Sequence, residues 1–138
     1  DAVKNNVNKV TCWGSGNALR EFLYVDDLAS ASIFALEKWN PNDSNAPKKE
    51  NGEVLTLLNV GSNDEVTISQ LAREIAIATG FNGEIFWDKT KPDGTPKKEL
   101  DKTHLNNLGW HSDTSLKNGI RKTINFYRKE KATGILRN

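Results

Sequence analysis

The apolar positions of this chain fall into short runs separated by polar stretches rich in glycine and proline, the punctuation of an α/β domain. Residues 10–13 form one such run, closed by Gly14-Ser15-Gly16, a turn with two residues free to take positive φ. Residues 21–25 (EFLYV) are rich in β-formers and predict a short strand. Asp26 or Asp27 then caps a helix carrying Leu28, Ala31, Ile33, Ala35, Leu36 and Trp39, whose small residues suit close packing on a sheet. The nearly continuous apolar run at 53–60 (EVLTLLNV) predicts a strand covered on both faces, as in parallel sheets. Thr67-Ile68-Ser69-Gln70 is a capping-box pattern. It opens a helix with Ile68, Leu71, Ala72, Ile75 and Ala78 on one face, stopping at Gly80. A further strand follows at 84–87 (EIFW), then a short helix at 99–108. Thr114 or Ser115 caps a last helix with Leu116, Ile120, Ile124 and Tyr127 inward.

The predicted order is strand, helix, strand, helix, strand, helix, helix: an α/β fold with a small sheet and about four helices. No GxGxxG or GxxGxxG fingerprint joins a strand to a helix, so the dinucleotide-binding Rossmann part is missing from the pattern. Three short strands are thin cover for four helices. The two-sided apolar segments at 28–39 and 53–60 therefore read as built to pack on partners outside this chain. Residues 1–9 (DAVKNNVNK) are polar and read as a leader or a cut end, residues 10–128 as the folded portion, and residues 129–138 as a frayed tail. Residues 40–52, with two prolines and almost no apolar content, read as a mobile surface loop.

Composition narrows the partners. At 36% hydrophobic and 27% charged the chain is globular. A formal net charge of +1 gives no broad electrostatic attraction to nucleic acid or a membrane surface. No apolar run approaches the ~20 residues needed to cross a bilayer. A single cysteine, Cys12, forms no internal disulfide and favours a reducing, cytoplasmic setting. His104 and His111 have no ligand cluster around them, so no metal site is expected.

Candidate chemistry is therefore local. Arg20, beside a glycine turn and an aromatic, can hold a phosphate bidentately; a salt bridge to Glu21 or Asp26 is the structural alternative. Trp13 can stack on a base or sugar, or sit in a core. In the loop 91–98 (KPDGTPKK), Asp93 can accept from sugar or base donors and the lysines can neutralise phosphate, unless the loop is only a solvated basic turn. Asp26 and Asp27 are adjacent, do not share a face, and fit helix capping better than acid–base work. No nucleophile–base pair is present, and neither Tyr24 nor Tyr127 has a lysine four residues on, so no catalytic residue is expected in this chain.

The segment REFLYVDDLASA (20–31) resembles the arginine–strand–aspartate pair–helix segment of extended short-chain dehydrogenases/reductases acting on nucleotide sugars. The ordered set WGSGNALREF, LNVGSNDEVTI, GFNGEIFWDKTKPDGTPKKELD, LGW and SLKNGI resembles the GDP-L-fucose synthase family from about residue 10 to 127, apart from the loop 40–52. KPDGTPKK is the most discriminating piece. The resemblance implies the C-terminal, substrate-binding portion of an NADP-dependent enzyme that epimerises and reduces a GDP-keto-sugar. It implies that Trp13, Arg20, Asp93 and Lys98 contact that substrate. NADP(H) and the catalytic groups would be held by the missing N-terminal part. The chain alone is then expected to be inactive and to self-associate through the surfaces left uncovered. The other readings are a fragment of a different nucleotide-sugar epimerase or dehydratase, or a stand-alone nucleotide-sugar binding or assembly module.

Overall fold

A computed structural model describes residues 1–134 of the chain. Its elements are β1 (Lys9–Trp13), β2 (Leu19–Glu21), α1 (Val25–Lys38), β3 (Glu65–Thr67), α2 (Ile68–Thr79), β4 (Glu84–Asp88), β5 (Lys97–Lys98), α3 (Thr103–Asn107) and α4 (Leu116–Ala132). The strands make two small sheets. β1 and β4 pair in parallel, Lys9 opposite Glu84 through Trp13 opposite Asp88. In the second sheet β2 is central, antiparallel to β3 and parallel to β5. Residues 1–8 fold into a turn in which Val7 N–H donates to the Ala2 carbonyl (2.9 Å).

The capping box forms as its pattern predicts. Thr67 accepts from the Gln70 N–H (3.1 Å), the Gln70 side chain accepts from the Thr67 N–H (2.8 Å), and Gly80 closes α2 in the left-handed conformation. β4 covers the predicted strand 84–87, and Ser115 accepts from the Asn118 N–H at the start of α4 (3.4 Å).

Several expectations about the elements are corrected. The strand predicted at 21–25 is shorter and earlier, because α1 begins at Val25 with Tyr24 as an extended N-cap that makes no side-chain cap bond. The run 53–60 forms no strand. Only an isolated bridge joins Val54 to Lys48, while Leu58 and Val60 turn onto the core and Leu57 faces out. A continuous apolar run fixes neither the cover of a segment nor a neighbouring edge to pair with it, and Val54 and Leu57 are exposed here. The helix predicted at 99–108 shrinks to α3. α4 runs through Ala132, so residues 129–132, read as tail, are helical; residues 135–138 lie outside the described residues.

The core sits where α1 meets the segment 105–110. Ala31, Leu105 and Trp110 are buried, flanked by Leu23, Phe34, Leu58 and Val60. Trp110 Nε1 donates to Ser30 Oγ (3.1 Å). Asp27, buried, accepts from both the backbone N–H (3.0 Å) and the hydroxyl (2.9 Å) of Thr114, joining the start of α1 to the approach to α4. The aspartate is thus an anchor between distant segments, not a helix cap. The other face of α1 is bare: Val25, Leu28, Ile33 and Leu36 are exposed, Leu36 to 87%. Tyr127, predicted inward, is also exposed; its hydroxyl accepts from Lys131 Nζ (3.0 Å).

Candidate functional site

Two segments far apart in sequence meet at one edge of the molecule. The first runs from Trp13 through the glycine turn into β2; the second is the loop leading into β5. Gly14 and Gly16 take φ of +77° and +76°. Side chains there would also meet neighbours: at Gly14 a Cβ would overlap the Asp93 carboxylate, and at Gly16 it would come within 2.8 Å of the Trp87 ring. Glycine is required at both for conformation and for room. The turn presents the Ser15 N–H and Oγ–H to Asp93, at 2.6 and 2.7 Å. The Ser15 hydroxyl, and after it the Ser15 N–H, hold the Asp93 carboxyl below the usual carboxylate range.

Each predicted site residue lies on this edge. Trp13 is 73% exposed, so the core alternative for it fails. The ammonium of Lys91 stands 5.7 Å from the centre of its ring. Arg20, on β2, donates to the Leu19 carbonyl (2.6 Å) and directs Nη2 toward Gly94, where a Cβ would lie 3.3 Å from it. The salt-bridge alternative is not adopted: among the described residues Arg20 forms no ion pair, and Glu21 is paired with Lys102 instead (2.7 Å). Lys98 is the parallel-ladder partner of Arg20. Paired residues of neighbouring strands share a face and lie about 5 Å apart at the backbone, so the two residues are neighbours on one face of the sheet. Lys97 points to the opposite face and is spent on Glu99 (2.8 Å) and Glu65 (3.2 Å). Lys98 has no carboxylate at ion-pair distance among the described residues.

Like charges on adjacent strands repel unless an anion lies between them. With an exposed aromatic at one end, a cation pair at the other and Asp93 between, the edge can stack a planar ring, bridge a phosphate and accept from a hydroxyl. Sequence reasoning missed Ser15, whose partner lies 78 residues away. A small polar residue between two glycines was the only local sign of it.

An apolar groove of about 700 Å³ lies elsewhere, lined by Val10, Cys12, Ile75, Phe81, Ile85 and Ile124. Its apolar walls do not suit a charged nucleotide. Nor do the described residues form a dinucleotide cradle. β1 leads through its glycine turn to a strand, and the first turn of α1 carries Asp26 and Asp27, which repel phosphate. The first turn of α2 is closed by its own capping box.

A small α/β frame of two sheets and four helices is the fold of the C-terminal part of an extended short-chain dehydrogenase/reductase. The NAD dependent epimerase/dehydratase family matches residues 1–49. The chain is 41% identical over 129 residues to GDP-L-fucose synthase 1 of Arabidopsis thaliana, covering 94% of this chain and 36% of that protein. It is 41% identical over 131 residues to GDP-L-fucose synthase of Escherichia coli (strain K12), covering 92% and 38%. A GDP-L-fucose synthetase from Naegleria fowleri, solved bound to NADP, superimposes with a TM-score of 0.76 at 26% identity, covering 96% of this chain and 38% of that one. Over the part of their length that it spans, the chain is similar to GDP-L-fucose synthases. It spans little more than a third of the length of the curated relatives it matches.

Proposed function

We propose that this chain is the substrate-gripping portion of a GDP-L-fucose synthase. That enzyme converts GDP-4-keto-6-deoxy-D-mannose to GDP-L-fucose by 3,5-epimerisation and NADPH-dependent 4-reduction. The observation that carries the reading is the Arg20–Lys98 pair, ladder partners on one face with no carboxylate at ion-pair distance among the described residues. In this reading they straddle the diphosphate, Trp13 stacks on the ligand, and Asp93, already shaped by Ser15, accepts from a ligand hydroxyl. NADP(H) is held by residues outside this chain, which supplies no hydride-transfer or epimerisation group, and the setting is cytoplasmic. No described helix is long and apolar enough to cross a membrane.

The chain alone is expected to show no NADPH oxidation with the keto-sugar, while binding GDP-sugars more tightly than UDP-sugars in calorimetry. Turnover by the isolated chain would overturn the division of labour. A preference for UDP-sugars would move the reading to another epimerase or dehydratase.

The bare apolar face of α1, together with the edge of β1 that no described strand covers, favours association of the chain with a second copy of itself. Light scattering is expected to give twice the chain mass of 15.4 kDa. A monomer at all concentrations would contradict this.

A further inference from the structure

We propose that Glu21 and Lys102 form a buried staple that sets the spacing of Arg20 and Lys98; as a statement about binding, this rests on the reading of that pair as a diphosphate grip. β5 is only two residues long, both exposed, and pairs with β2 at two positions. So short a ladder does not hold its own register. Its ends are held by side chains instead. Upstream, Asp93 accepts from Ser15. Downstream, Lys102 Nζ donates to Glu21 Oε2 at 2.7 Å, with the two side chains only 14% and 11% exposed. The other ion pairs among the described residues are far more open to solvent.

Glu21 follows Arg20 on β2, so the two side chains leave opposite faces of the strand. Locking one fixes the rotation of the strand and hence the direction of the other. The surroundings are shaped for the lock. Gly61 lies outside the left-handed region, yet a Cβ there would stand 2.5 Å from Glu21 Oε1 and 3.0 Å from Lys102 Cδ. Its glycine makes room for the ion pair. Glu21 Oε1 is buried without a hydrogen-bond partner, which costs stability, so the pair is poor as a stabilising device. What it supplies is position: the chain leaving β5 is tied to the strand that carries Arg20.

The test follows Glu21→Gln, Lys102→Met and the double variant by amide hydrogen exchange and by calorimetry with GDP, each at a temperature where the variant is folded. The Leu19 N–H, which donates to the Pro96 carbonyl (2.8 Å), reports the β2–β5 register without any ligand. In each variant it is expected to exchange at least about tenfold faster, while α2 amides are unchanged. GDP affinity is expected to fall about tenfold in each single variant and no further in the double, the non-additivity of one shared contact. Asp27→Ala, which removes the other buried anchor, is expected to lower stability and leave GDP affinity unchanged. Unchanged Leu19 protection in Glu21→Gln, or an affinity loss in Asp27→Ala as large as in Glu21→Gln, would overturn the staple. If the wild-type chain ignores GDP while Leu19 responds, the diphosphate reading falls and the staple stands.

Discussion

Replacing Arg20 with alanine is expected to weaken GDP binding by about 50- to 100-fold, the loss of a charge-assisted, two-pronged contact with phosphate. Stability should change little, because the described Arg20 side chain makes one bond, to the Leu19 carbonyl beside it, and no ion pair. Arg20→Lys should recover only part of the affinity, since an ammonium offers no planar fork. Lys98→Ala should cost about tenfold, as an exposed point charge in water contributes less. Calorimetry at moderate salt measures all three. Affinity in Arg20→Ala equal to wild type would remove the cation pair from the site.

The second large effect concerns the frame. Asp27→Ala strips both bonds to Thr114 and leaves the Thr114 N–H without its acceptor at the junction of α1 and the approach to α4. Hydrogen bonds to a charged group are worth about 1.5–3 kcal/mol, and the part-buried Thr114 N–H left without its acceptor adds to the loss. A destabilisation of about 2–4 kcal/mol is expected from denaturant midpoints. A loss below about 0.5 kcal/mol would show that the carboxylate does not join the two segments.

How much of this was legible depended on the range of the interaction involved. The capping box is written within four residues, Thr67 to Gln70, and its local pattern was sufficient. β4 was legible because its β-formers are bounded by a glycine and a polar loop. Asp27 was misread as a cap because capping is the local use of an aspartate, while its partner Thr114 lies 87 residues away. The run 53–60 was misread because an apolar run by itself encodes neither full cover nor a pairing edge: Leu58 and Val60 pack on the core while Val54 and Leu57 lie open. At the site, the residue types at Trp13, Arg20, Asp93 and Lys98 were visible, and the resemblance gathered them. Periodicity offered no hint that Arg20 and Lys98 would pair in register, or that Ser15 and Asp93 would clasp the two segments. Two of the bland alternatives fail on exposure and pairing, since Trp13 lies open and Glu21 is taken by Lys102, while the loop 91–98 is exposed throughout, as a solvated turn would also be.

The most direct measurement is a titration of the isolated chain with GDP, followed by NMR at the Trp13 indole N–H, the Arg20 side-chain N–H groups and the backbone amides. Shifts are predicted at Trp13, Ser15, Arg20, Asp93 and Lys98, with α2 and the apolar groove beneath it undisturbed. Shifts confined to the groove, or none at saturating GDP, would contradict the assignment of this edge as the nucleotide-sugar grip.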